Sequence, residues 1–156
     1  MQLLEQFLFW VHGLSSAAWF GAIFYRTMVV EPKSYRFFAD RAEYERFSAH
    51  LADGMRYVVT AGLLTCGLSG FALLGVRWDG TNTAWLGLMV AKTSVWFAAC
   101  GLFTYVSWVY WSWRVFATPE ESRAYRKQGI ILAASMVLLA GTGFALGQAC
   151  RLAHAM

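Results

Sequence analysis

The sequence predicts an all-α integral membrane protein, an up-down four-helix bundle with a short amphipathic interfacial helix in its first cytoplasmic loop. Three observations carry that reading. The 156 residues are 58% hydrophobic and 17% aromatic with only 14% charged, which is more apolar surface than a soluble domain of this length can bury. Four segments, roughly 5–30, 55–76, 84–113 and 129–150, are each long enough to cross a hydrocarbon core of about 30 Å. No ten-residue alternating segments of the barrel type occur, and backbone groups in lipid must be satisfied internally, which leaves helices. The whole chain, 1–156, reads as a single transmembrane domain.

The first segment opens MQLLEQ, without a basic start, and no A-x-A-like site closes a short apolar run. It is expected to be a retained membrane helix rather than a secretion signal. Gly13, Ala17 and Gly21 recur every four positions along it, a stripe that lets a neighbouring helix approach closely. The first connection, EPKSYRFFADRAEYERFSAHLADGMR, spaces Phe37, Phe38, Tyr44, Phe47 and Leu51 as an amphipathic helix would, which predicts a helix lying on the membrane surface. The second connection, RWDGTNT, predicts a tight turn at Asp79 and Gly80. The third segment is over-long, so it should tilt or run past the bilayer. The third connection supplies Thr118 as N-cap, Pro119 in the first turn and Glu121 three residues after the cap, so the fourth helix should begin before the membrane. Gly143 and Gly147 then form a GxxxG that serves either packing within the bundle or a homodimer. Cys66, Cys100 and Cys150 fall on three different helices without CxxC spacing; they are read as small packing residues, not as a disulfide framework or zinc site.

Basic residues set the orientation. Ten of them border the first and third connections: Arg26, Lys33, Arg36, Arg41, Arg46, Arg56, Arg114, Arg123, Arg126 and Lys127. Two, Arg77 and Arg151, mark the other end, and Lys92 lies inside a helix. Both termini are therefore expected outside a bacterial inner membrane. The net charge of +4 is then a topology signal, and no nucleic-acid module is present.

Counting inward from the outer helix ends, His12, Ser69 and Lys92 share one layer at a depth of about 10 Å, with Gln148 at or above it. Each of the four helices contributes one polar group. A charge in mid-membrane costs at least about 2.5 kcal/mol, so such a group faces the protein interior and a partner. His12 fits a ligand or a proton carrier. Met89, one turn from Lys92, offers a thioether suited to Cu(I) or to an axial heme position. Trp19 shares the His12 face and can wall a pocket. His50 and His154 fall in a loop and a tail, so a bis-histidine heme within one protomer is not expected.

His12, then Trp19 seven residues on, then Gly21-Ala22 resembles the first helix of the four-helix membrane module of the copper-resistance protein D (CopD) family. TMVVEP (27–32), GMRYVVTAGLLTCGLSG (54–70) and WLGLMVAKTSVWF (85–97), with its Ala91-Lys92 pair, are similar to later stretches of that module. The resemblance implies copper handling at the inner membrane, a periplasmic copper donor as partner, and roles for His12, Trp19 and Lys92. The chain departs from that family in lacking a Met-rich or His-rich outer segment. Residues 12, 19, 20, 24 and 25 also match the order found in HemJ-type protoporphyrinogen oxidases, which implies heme b and again Lys92. Against that, residues 26–30 hold no second histidine. A third class is a non-catalytic subunit or assembly factor of a membrane redox complex.

The topology reading is directly testable. A reporter fused after Met156 should be active when it requires the periplasm and inactive when it requires the cytoplasm. The reverse pattern would exchange the inner and outer ends and remove the depth alignment with them.

Overall fold

The computed structural model describes residues 2–78 and 82–155, and these form four long helices with no strand among the described residues. They are α1 (Gln2–Phe37), α2 (Arg41–Val76), α3 (Thr83–Val115) and α4 (Pro119–Ala155), and each contains a stretch long and apolar enough to cross a membrane. α1 packs on α2 and on α4, and α3 packs on α4, giving the expected all-α four-helix bundle. The Asp79–Gly80 turn lies outside the described residues.

The helices run further than hydropathy alone predicts. Residues 31–37 continue α1, and α2 begins at Arg41 rather than near 55. A separate interfacial helix is therefore replaced by two helical extensions joined through 38–40. Asp40 caps α2 by accepting from the Ala42 N–H at 2.9 Å. Phe37 and Phe38 end α1, whereas Tyr44, Phe47 and Leu51 belong to α2. The reason is packing: Tyr44, Ser48 and Ala52, four apart, are buried, so this stretch turns a face to the bundle instead of lying flat on lipid. At the start of α4 the capping box forms as its sequence demands. The Thr118 N–H and hydroxyl both donate to Glu121 Oε2 at 2.9 Å, and the Glu121 N–H returns to Thr118 Oγ1 at 3.4 Å.

Two helices change pitch within their length. Arg26–Val30 of α1 and Tyr105–Tyr110 of α3 are π-helical, a widened turn that is rare and often found at functional positions.

Trp19, Leu63, Ala99, Met136 and Ala140 form a buried cluster to which every helix contributes. Outward-facing apolar residues such as Leu68 (72% exposed) and Leu138 (71%) suit a lipid solvent. Gly143 and Gly147 seat α4 on α3: side chains there would meet Val95 at 3.6 Å and Lys92 Nζ at 3.5 Å. The GxxxG thus serves packing within the bundle. The expected stripe on α1 is not a seat of this kind, since Gly13 and Gly21 face open space. Close approach occurs instead at Gly67, where a side chain would collide with the Trp96 ring.

The basic end is closed by an ion-pair network that the sequence pattern did not disclose. Arg114 of α3, buried, donates to both carboxylate oxygens of Glu45 on α2 at 2.8 and 3.0 Å. Its Nη1 also donates to the Tyr110 hydroxyl at 3.2 Å, which itself donates to the Tyr125 carbonyl of α4 at 2.9 Å. The Tyr44 hydroxyl donates to Glu31 of α1, so groups from all four helices converge. At the opposite end Arg77 pairs with Glu5 at 2.6 Å, each side chain about one-third exposed. Glu45→Ala should cost about 3–5 kcal/mol, because it strands a buried guanidinium. Glu5→Ala should cost about 0–1 kcal/mol. Unfolding midpoints of the detergent-solubilised variants check the contrast; equal losses would contradict it.

Candidate functional site

Three small or polar residues from α2 and one lysine from α3 surround a histidine of α1, and each owes its place to helical spacing. Cys66, Ser69 and Gly70 lie within one turn of α2. His12 Nδ1 sits 2.9 Å from the Cys66 carbonyl oxygen and 3.3 Å from Ser69 Oγ. A carbonyl only accepts, so Nδ1 carries the ring proton and Nε2 presents a lone pair. Lys92 Nζ lies 3.2 Å from Nε2 and donates to it. Ser16 holds the His12 turn from below, its hydroxyl donating to the His12 carbonyl at 2.7 Å and lying 3.1 Å from Cys66 Sγ. Ser69 in turn donates to the Thr65 carbonyl at 2.6 Å.

Two glycines make the pair fit. A side chain at Gly70 would stand 3.0 Å from His12 Cε1, so the ring lies against bare backbone. Gly147 leaves room for the ammonium on the α4 side. Among the described residues, the hydrogen bond to His12 is the only one Lys92 makes, and no carboxylate pairs with it.

The pair separates two cavities. One, of about 90 Å³, is lined by His12, Trp19, Cys66, Met89, Lys92 and Trp96 among others. The indole N–H groups of Trp19 and Trp96 are both buried without a partner among the described residues. The other, of about 130 Å³, is lined by His12, Met89, Lys92, Gln148 and Cys150 among others. Each has room for an ion or a few waters.

The structure therefore brings His12, Ser69 and Lys92 into direct hydrogen bonding. It sets Met89 and Gln148 around the second cavity, with Trp19 walling the first. Sequence reading missed Cys66, Cys150 and Gly70. Cys66 and Gly70 betray themselves only by their spacing from Ser69, and Cys150 by lying two residues from Gln148. Among the described residues no three His, Cys, Asp or Glu converge; the soft donors facing the second cavity are one imidazole nitrogen, one thioether and one thiol.

No protein-family model, no curated protein and no solved structure matches the chain. The chemistry of the site must be argued from the residues themselves.

The hydrogen bonds fix the tautomer of His12. Histidine-selective ¹⁵N NMR, assigned by loss of the signal in His12→Ala, should give a protonated Nδ1 and an unprotonated Nε2. Gly70→Ala should shift both resonances by displacing the ring. The opposite tautomer would contradict the geometry.

Proposed function

We propose that this multi-pass membrane protein handles copper, holding Cu(I) in the second cavity between His12 Nε2 and the sulfurs of Met89 and Cys150. The observation that carries the reading is the orientation of the imidazole. Its Nδ1–H is anchored on a backbone carbonyl, the arrangement by which proteins aim the other nitrogen at a metal. His12 lines a cavity also lined by Met89 and Cys150, whose sulfurs are donors that select Cu(I) over harder cations. The resemblance of α1 and α3 to the CopD module supports this reading, and the basic count supports an outer-half position for the site in a bacterial inner membrane. A periplasmic copper donor is the partner implied.

Lys92 acts on the ion as a competitor. Its hydrogen bond occupies the Nε2 lone pair, and its positive charge repels a second cation across a few ångström of low-dielectric space. Copper enters only as that bond breaks. A thiol must lose its proton to ligate a metal, so binding should strengthen as pH rises.

Competition with a chromophoric Cu(I) chelator, under reducing conditions, tests the proposal. The wild type should take up one Cu(I). His12→Ala should weaken binding by roughly a hundredfold, and Met89→Leu or Cys150→Ala by at least about tenfold, as loss of a ligand or its support does. Lys92→Met should tighten binding, since it removes the competing hydrogen bond and charge. Uptake no greater than that of the detergent alone, or unchanged affinity in His12→Ala, would refute the copper reading. A Soret band in the purified protein would replace it with the heme alternative.

A further inference from the structure

A third cavity, of about 190 Å³, lies at the basic end and takes no part in the copper site. Its rim is cationic: Arg26 of α1, Arg56 of α2 and Arg114 of α3 all line it, against the single lining carboxylate Glu31. Arg114 is satisfied by Glu45, and Glu31 accepts from Tyr44. The other two guanidiniums keep open donors. Arg26 makes no hydrogen bond or close ion pair among the described residues; it faces the Trp111 ring, 5.7 Å from its centre, and feels the charge of Glu31 at longer range. Arg56 meets Asp53 at 3.4 Å through Nη2, but that carboxylate is 71% exposed and the contact is weak. The Arg56 Nε is buried and unpartnered. Counting each guanidinium's paired carboxylate, Glu45 with Arg114 and Asp53 with Arg56, three cations meet three carboxylates, of which Asp53 is solvated and weakly held.

The rest of the wall is apolar, with Ile23, Val59, Phe103 and Met136 behind the guanidiniums. Ile130 lines the cavity and is 49% exposed, so the cavity reaches the outer face of α4. Both π-helical segments contribute: Arg26 and Thr27 from one, Val106, Ser107 and Tyr110 from the other. Both widened turns therefore border the cavity. Arg26 stands about 36 Å along α1 from Gln2 at about 1.5 Å per residue, which is headgroup depth for a hydrocarbon core of about 30 Å.

We propose that this cavity binds the phosphodiester headgroup of an anionic membrane lipid, with Arg26 and Arg56 as its donors and the acyl chains leaving past Ile130. A phosphodiester carries one negative charge and four acceptor oxygens, matching the open N–H groups of Arg26 and Arg56, and guanidinium forks suit it. The volume accommodates the phosphate and its first carbons but not the acyl chains, so the hydrophobic part must remain in lipid. Basic pockets between membrane helices recognise anionic headgroups on the same chemistry.

Native mass spectrometry of the delipidated full chain, titrated with phosphatidylglycerol, phosphatidylcholine or inorganic phosphate, tests the proposal. One phosphatidylglycerol should be retained at least about tenfold more tightly than phosphatidylcholine, and Arg26→Gln with Arg56→Gln should erase that preference. Arg36→Gln, an exposed charge near the same end, should leave it intact. Should the double glutamine variant fail to fold, Arg26→Lys with Arg56→Lys keeps the charge but loses the fork, and should weaken retention severalfold. Equal retention of the two lipids by the wild type overturns the proposal, as does a loss in Arg36→Gln as large as in the double variant. Inorganic phosphate bound as tightly as phosphatidylglycerol would make this a free-anion site and overturn the lipid assignment.

Discussion

Lys92 is the constraint around which one half of the bundle is arranged. An ammonium in the bilayer needs a hydrogen-bond acceptor, and no carboxylate supplies one among the described residues. The acceptor is His12 Nε2. That choice propagates: Nε2 can accept only if Nδ1 carries the proton, so Nδ1 needs an acceptor of its own, and the Cys66 carbonyl provides it. For the ring to reach that carbonyl, α1 and α2 must approach closely, which Gly70 permits and any side chain there would oppose. For the lysine stem to reach the ring, α4 must leave a gap, which Gly147 provides. One partly buried cation thus fixes a tautomer and two glycines, and with them the separation of three helices.

The two ends of the bundle handle cations by different chemistry. At the basic end Arg114 is neutralised by a carboxylate with two hydrogen bonds, and the pairing ties helices together without leaving a reactive lone pair. At the other end the partner of Lys92 is a neutral base, and neither group cancels the other's charge. The first arrangement is suited to holding a structure. The second leaves a cation and a nucleophilic nitrogen in contact, a state that a proton or a metal ion can change.

The pairing of His12, Ser69 and Lys92 was legible in the sequence because helical rise is fixed, so counting residues from a membrane surface gives depth. Azimuth is not given by counting. Cys150 and Gln148 differ little in depth, yet only knowledge of how α4 rotates against α3 shows that both line the cavity beside Lys92. The same gap hid Arg114 and Glu45, each an ordinary charge in a polar connection until the helices are placed side by side. The stretch from 31 to 54 misled for another reason. Its mixture of charge and aromatic rings is what both an interfacial helix and a helical hairpin beyond the membrane require, and burial of Tyr44 and Ser48 decides between them. The π-helical turns left no signal, since RTMVV and YVSWVY are compatible with ordinary α-helix.

The buried cluster also limits what the protein can do with an ion. Trp19, Ala99 and Ala140 line the small cavity on the His12 side, whereas Met136 lines the cavity on the basic side. The cluster is therefore the wall between them, made of close-packed apolar groups with no polar atom suited to a cation in transit. An ion bound at His12 would have to part that wall to reach the basic end, losing packing from all four helices at once. Holding and release on one side of the membrane demands no such rearrangement. The π-helical turns, where helix pitch is already relaxed, lie on the basic side of the cluster, so motion concentrated there would reshape the arginine-lined cavity and leave the histidine–lysine pair undisturbed. The two cavities can then change shape independently of each other.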